Sequence, residues 1–242
     1  MNQLQKLSIA AHKALTRLAI KDRTPVETFS QAGEDVLLAQ LFADKLARNE
    51  RGHFVDVGAY HPVKFSNTYI FSKKGWTGIN IEARPGSKRL FDSHRPNDIN
   101  LELAVAGQKG MVEFFNLADD STINTTTKER APGKERHAVS VPCDALDNIL
   151  AEHPLARIDF VSIDVEGGEE EIVRSTDWKR WCPQVIVCEA NGRSVADYLN
   201  SPISRMLEAV GYIMIDIRRL YWPPGDALAR NTAASLFFAS AE

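Results

Sequence analysis

The residues in this chain that could do chemistry stand just past the ends of apolar runs. In FVDVGAYHPVKFSNTYIF, the run Phe54–Val57 leads into Gly58, then His61-Pro62 and Ser66-Asn67-Thr68. Gly78–Ile81 ends at Glu82, and Leu101–Val105 passes into Ala106-Gly107. Phe160–Ile163 delivers Asp164 and Glu166, and Val185–Cys188 delivers Glu189 and Asn191. Each type suits one part of a bound nucleoside and its reaction partner. A glycine lets a ligand approach the backbone closely, and Ser66 or Asn67 can cap a following helix. Glu82 is a carboxylate able to accept both hydroxyl hydrogens of a ribose. Ala104 and Val105 are small and apolar enough to border a flat base. Taken singly, each has a bland reading: the glycine a turn, each acid a solvated side chain. The case rests on the series.

A dinucleotide site is the obvious competitor, but its fingerprint G-x-G-x-x-G seats a pyrophosphate on a helix N-terminus. Here Gly58 is followed by Ala59-Tyr60-His61-Pro62, with no second or third glycine. That loop is too bulky to cradle a pyrophosphate, yet it suits the amino-acid tail of S-adenosylmethionine. A nucleoside without a pyrophosphate is the reading it favours.

The elements that must position these residues follow from the apolar pattern. Phe54–Val57, Gly78–Ile81, Leu101–Val105, Phe160–Ile163, Val185–Cys188, Tyr212–Ile217 and Leu236–Ala239 read as strands. Most are continuously apolar rather than alternating, which suits strands covered on both faces. Helical segments are expected at Ser66–Lys74, Gly86–Ser93, Asp144–Leu150, Gly168–Ser175 and Val195–Val210. Such alternation predicts an α/β fold with one doubly wound, mostly parallel sheet and helices on both faces. Ligands of such sheets collect beyond the carboxyl ends of the strands, where the residues above fall. One interval breaks the rhythm. Met111–Phe115 and Val139–Val141 read as a hairpin insertion around a long polar loop, a kind of segment that usually serves a ligand or stays disordered. A single domain over 29–242 is expected, after an N-terminal extension over 1–28.

With 242 residues, 44% hydrophobic and 25% charged, the composition is that of an ordinary globular protein. A net charge of -3 offers no electrostatic case for nucleic acid. Cys143, Cys182 and Cys188 form no C-x-x-C pair and suit a reducing, cytoplasmic setting. No apolar run is long enough to span a bilayer. Leu4, Leu7, Ala11, Ala14, Leu15 and Leu18 recur at helical spacing among Lys6, Lys13, Arg17, Lys21 and Arg23. This basic amphipathic helix packs on the domain or on a second subunit of a homodimer, or else docks peripherally on an anionic membrane.

In order and spacing the chain resembles the FkbM family of S-adenosylmethionine-dependent O-methyltransferases from about Phe29 to about Gly192. The matching pieces are FSQAGEDVLL, FVDVGAYHPVKFSNTYIF, GWTGINIEARP, AVAG, IDFVSIDVEGGEEEIV and PQVIVCEANG. Membership implies the Rossmann-like methyltransferase fold, with seven strands of which the last, Leu236–Ala239, runs antiparallel. It implies that Asp56, Gly58 and Ala59 border the methionine part of the cofactor, and Tyr60, Ser66 and Asn67 of the same loop are further candidate cofactor contacts. Glu82 would meet its ribose, Ala104 and Val105 would lie near its adenine, and Ala83 is a further candidate cofactor contact. Asp164 would face the sulfonium and the incoming hydroxyl. Ala83 departs from a position where proline is common. Gln31 and Glu34 belong to the family's N-terminal motif, and Gln31 is a candidate substrate contact.

A hydroxyl is a poor nucleophile at neutral pH, so a base or a metal is expected. Asp164 is the first candidate base, followed by Glu166 and His61, although a histidine before proline equally shapes a turn. Asp164, Glu189 and Asn191 would offer Mg²⁺ the oxygen ligands it prefers. Glu169 and Glu170 suit a helix N-terminus, and Trp178 and Trp181 suit packing. In the insertion, Thr122, Asn124 and Arg130 are candidate substrate contacts. Tyr221 and Trp222 would present an aromatic edge to a sugar. The expected acceptor is a small molecule or glycan: a sugar, glycan or nucleotide-sugar hydroxyl. The alternatives are a polyketide acceptor, or a silent cofactor-binding subunit of a glycan assembly complex.

Overall fold

The structure, a computed structural model, describes residues 27–116, 137–218 and 233–241. The basic N-terminal segment therefore lies outside the described residues, as do the candidate contacts Thr122, Asn124, Arg130, Tyr221 and Trp222. Ten strands are described: β1 His53–Val57, β2 Thr77–Ile81, β3 Ile99–Leu101, β4 Ala104–Val105 and β5 Gly110–Asn116, then β6 His137–Asp144, β7 Phe160–Ile163, β8 Val185–Asn191, β9 Tyr212–Arg218 and β10 Ala233–Ser240. Seven form one sheet in the order β3-β2-β1-β7-β8-β10-β9. β3, β2, β1, β7 and β8 are parallel neighbours. β10 runs antiparallel to both β8 and β9, as expected of the last strand.

The continuous apolar runs are explained by burial on both faces. Successive side chains of a strand point to opposite sides. Phe54 of β1 thus joins Phe42, Phe71, Trp76 and Phe160, while Val55 and Val57 join Ile79, Ile81, Val161 and Ile163. The first face is covered by the helix Glu34–Leu41, through Leu37 and Leu38, and by Phe71 of the short helix Tyr69–Ser72. The rings of Phe54 and Phe160 stack at 5.8 Å, and Phe71 lies 4.9 Å from both Trp76 and Phe160. The second face is covered by Leu146–Glu152, Glu169–Ser175 and Pro202–Ala209, through Ile149, Ile172 and Leu207.

Three expectations are corrected. The run Leu101–Val105 is not one strand. Leu101 ends β3, where its carbonyl accepts from Glu82 N at 3.0 Å, and the chain then leaves the main sheet. β4 pairs instead with β6, and β6 pairs antiparallel with β5, in a three-stranded sheet of order β4-β6-β5. The expected hairpin is present, with both strands longer than the sequence suggested. The expected helix Val195–Val210 is two helices, Val195–Leu199 and Pro202–Ala209. Ser201 caps the second, its Oγ accepting from Ser204 N at 3.1 Å, with Pro202 at the first helical position. Finally, the segment expected to be helical over Ser66–Lys74 is helical only over Tyr69–Ser72. Among the described residues no helix is long and apolar enough to cross a membrane.

The central strands end in register. Val57 of β1 pairs with both Ile81 of β2 and Ile163 of β7, so the next residues, Gly58, Glu82 and Asp164, share one rim. Gly58 N donates to Ile81 O at 2.9 Å, and Asp164 N to Val57 O at 2.9 Å. The glycine has a reason beyond ligand approach. Its φ is +79°, and a Cβ there would lie 1.8 Å from the carbonyl oxygen of Asp164. Gly58→Ala must therefore displace backbone, not only a side chain. It is expected to lower unfolding free energy by about 3 kcal/mol or more, measured by urea denaturation. A change under about 0.5 kcal/mol would contradict this packing.

Candidate active site

A cleft open to solvent, enclosing about 70 Å³, lies at this rim. Its wall carries Gly58, Tyr60, Glu82, Ala83, Ala104, Val105, Asp164, Glu166 and Gln31, nine of the residues singled out from sequence. Val57, Phe65, Ile81, Leu103, Phe114 and Val165 complete it.

One end is an apolar slot. Ala104 and Val105 enter from β4, Ile81 and Ala83 flank Glu82, and Phe114 is supplied by the hairpin strand β5. Between slot and mouth sits Glu82, which is buried. Its Oε2 accepts from Tyr60 N at 2.7 Å and its Oε1 from Arg84 N at 2.9 Å. These bonds aim the carboxylate yet leave each oxygen a further lone pair. Burial pushes the Glu82 pKa up, and the backbone donors of Arg84 and Tyr60 oppose it. The same loop is braced by Arg84, whose Nη2 donates to Tyr60 O at 2.9 Å while its guanidinium lies 5.4 Å from the Tyr60 ring.

The other end is acidic. Asp164 is half-buried, but its Oδ1 is sealed from solvent and has no hydrogen-bond partner among the described residues. Burial, then the negative charges of Glu189, Glu169, Glu34 and Asp56, raise its pKa well above the ordinary carboxyl range. Oxygens of Asp164, Glu166 and Glu189 lie within 4.8 Å of one another. Asn191 is exposed at the end of β8. Glu169 does more than sit at a helix N-terminus. Its carboxylate folds back to accept from Val165 N at 3.0 Å and Gly167 N at 2.9 Å, shaping the turn that presents Asp164 and Glu166.

Several expected contacts stand behind the wall instead. Asp56 is buried within β1 and accepts from Thr68 Oγ1 at 2.8 Å, and Arg95 Nη2 donates to the same hydroxyl oxygen at 3.3 Å. Strand alternation turns Asp56 away from the cavity that Val57 and Gly58 line. Ala59 is buried. Ser66 Oγ accepts from Tyr69 N at 3.1 Å, and Asn67 Nδ2 donates to Ser162 Oγ at 3.0 Å, tying the loop to β7. His61 is off the wall too. Its Nδ1 accepts from Val63 N at 3.0 Å and Lys64 N at 3.1 Å. Burial and the charges of Lys64, Arg84 and His94 hold its pKa down. With Nδ1 accepting, the neutral ring carries its proton on Nε2, so His61 acts as the brace of a turn.

The FSQAGED motif divides in the same way. Asp35 accepts from Thr28 Oγ1, Phe29 N and Ser30 Oγ, each at 2.7 Å. Glu34 accepts from Ala32 N at 2.8 Å and from Ser235 Oγ of β10 at 3.0 Å. These two acids hold the turn in place; Gln31 reaches the cavity.

Residues 56–214, more than half of the chain, match the model of the Methyltransferase FkbM domain. The chain belongs to the FkbM methyltransferase family. No curated protein matches it. Among solved structures, precorrin-8w decarboxylase from Methanobacterium thermoautotrophicum is 17% identical, covering 89% of this chain and 92% of that one, at a TM-score of 0.45. A TehB-like SAM-dependent methyltransferase from Corynebacterium glutamicum is 12% identical, covering 98% and 99%, at 0.41. Fibrillarin from Aeropyrum pernix, with natively bound S-adenosyl-L-methionine, is 13% identical, covering 78% and 66%, at 0.42.

The FkbM family implies S-adenosylmethionine, and the cavity fits it by its own chemistry. It offers an aimed, buried carboxylate for vicinal hydroxyls, an apolar slot beside it, and the Asp164 carboxyl at the end where positive charge would sit.

The buried Asp56 makes a testable signature. Burial raises its pKa from 3.8 to about 6, although the Thr68 hydroxyl and the Arg95 charge oppose the rise. The folded state therefore holds this proton more tightly than the unfolded chain. The resulting stability is fully present below about pH 4 and is lost as pH rises through about 6. Asp56→Asn cannot ionise. Relative to it, the natural protein should lose up to about 3 kcal/mol between pH 4 and 6, measured by urea melts at stepped pH. Parallel profiles would contradict the placement of Asp56.

Proposed function

We propose that this methyltransferase moves the methyl group of S-adenosylmethionine to a hydroxyl of a sugar, glycan or nucleotide-sugar. The observation that carries the reading is the convergence of Gly58, Glu82 and Asp164 on one two-ended cavity. Glu82 accepts the ribose hydroxyls, while Ala83, Leu103, Ala104, Val105 and Phe114 enclose the adenine. Gly58 and Tyr60 border the methionine part. When bound, S-adenosylmethionine supplies a methyl group activated by a sulfonium charge, and the protein's main task is alignment at near-contact distance. Asp164 takes the proton of the acceptor hydroxyl as that oxygen attacks. A carboxylate whose pKa is raised is a better proton acceptor than an ordinary one. Glu166 and Glu189 beside it accept further hydroxyl hydrogens of the acceptor.

Calorimetry with S-adenosylhomocysteine, followed by an acceptor screen with labelled methyl donor, tests the reading. Asp164→Asn is expected to bind S-adenosylhomocysteine within about threefold of the natural protein and to lose about 10²–10⁴-fold in methyl transfer. Transfer by the natural protein should fall as pH is lowered through the raised Asp164 pKa. Turnover should survive excess EDTA. Its loss on chelation and return with Mg²⁺ would instead assign Asp164, Glu166 and Glu189 to a cation. Undiminished transfer by Asp164→Asn would remove the base from this account, and tight cofactor binding without turnover on any hydroxyl would remove the acceptor.

A further inference from the structure

Phe65 is the residue of the cavity wall that packing leaves unexplained. Its side chain is 49% exposed, although it belongs to a well-braced loop. Its backbone lies at φ +54°, in the left-handed region that bulky residues seldom enter. Both features are held from each side. Before it, His61 Nδ1 accepts from Val63 N and Lys64 N. After it, Ser66 N donates to Phe29 O at 3.0 Å, which ties the loop to the segment carrying Gln31. The ring of Tyr60 lies 6.0 Å away, tilted by 32°. An apolar ring is thus fixed outward at the mouth of a cavity whose acidic end presents Asp164 and Glu166.

A ring and a set of carboxylates make a particular demand on what they bind. The ring covers a face of C–H bonds, while the carboxylates accept O–H donors and repel anions. A saturated, uncharged ring bearing hydroxyls satisfies both, whereas a phosphate or carboxylate on that ring meets Asp164, Glu166 and Glu189. We propose that Phe65 is the acceptor-side specificity residue, the platform against which the apolar face of an uncharged, polyhydroxylated ring packs beside Asp164. This rests on the cofactor and acceptor ends assigned under the proposed function. It narrows the acceptor ring itself to a neutral one.

The experiment measures methyl transfer from labelled S-adenosylmethionine to a panel of neutral methyl hexosides and deoxyhexosides, with their 6-phosphate and uronate counterparts alongside. Calorimetry with S-adenosylhomocysteine is run on the same proteins. Phe65→Ala should leave S-adenosylhomocysteine affinity within about twofold and raise KM for the neutral glycoside about tenfold, a loss the size of one aromatic contact. Phe65→Trp should restore KM, and thermal melts of both variants check that each is folded. The anionic counterparts should be turned over far more slowly. An unchanged KM overturns the proposal, and so does a loss of S-adenosylhomocysteine affinity in Phe65→Ala, which would put the ring on the donor. Equal use of the anionic acceptors, or normal cofactor binding with no neutral glycoside turned over, overturns it as well. If the natural protein fails to bind S-adenosylhomocysteine, it is the underlying cofactor reading that falls.

Discussion

The close approach of Gly58 to the carbonyl of Asp164 is the constraint on which the rest of the site depends. Two neighbouring parallel strands end level, and the chain must turn away from both within one residue. Only a residue without Cβ, at positive φ, clears the Asp164 oxygen. Because Gly58 N and Ala59 N both donate to Ile81 O, the same turn is also hooked to β2. Three strand ends are thereby fixed relative to one another through backbone alone. Glu82 and Asp164 follow directly on these fixed ends, and two backbone donors, Tyr60 N and Arg84 N, complete the aim of Glu82.

Behind this rim lies a layer of buried polar groups whose work is support. Asp56, Thr68 and Arg95 bind one another under the loop, and Arg95 also pairs with Asp98 at 2.7 Å in full burial. Asp35 gathers the turn that carries Gln31, and Glu169 gathers the turn that carries Glu166. Glu166 itself is held at φ +57°. Such groups are costly to bury unless satisfied, and most are. Asp164 Oδ1 is left without a partner among the described residues, and Asp164 lines the acidic end of the cavity. The contrast sets Asp164 apart from the satisfied acids around it, which their positions in the sequence do not.

Much of the fold could be read from the sequence because the core strands are buried on both faces and announce themselves as unbroken apolar runs. The same signal misled at Leu101–Val105, where the run continues while the hydrogen-bonding partner changes from β2 to β6. Continuity of hydropathy carries no information about partners. The break between Leu199 and Pro202 has a local signal, since a serine before proline is a helix start, although the apolar residues on either side read as one long helix. At the rim, the strand-end rule brought Gly58, Glu82, Ala104, Val105 and Asp164 to one wall, because topology alone brings those positions together. The same rule says nothing of side-chain direction: Asp56 is buried against Thr68, and His61 Nδ1 accepts from two backbone N–H groups nearby. Phe114 could not have been found this way, since it reaches the cavity only through the docking of the hairpin. Phe65 belongs to the segment FVDVGAYHPVKFSNTYIF, but its exposure and left-handed backbone are properties of the fold.

A crystal structure with S-adenosylhomocysteine bound tests the central claim most directly. The account predicts ribose hydroxyls within hydrogen-bonding distance of the Glu82 carboxylate, adenine between Val105 and Phe114, and the sulfur turned toward Asp164. A nucleoside bound elsewhere, or one whose sulfur faces away from Asp164, would contradict it.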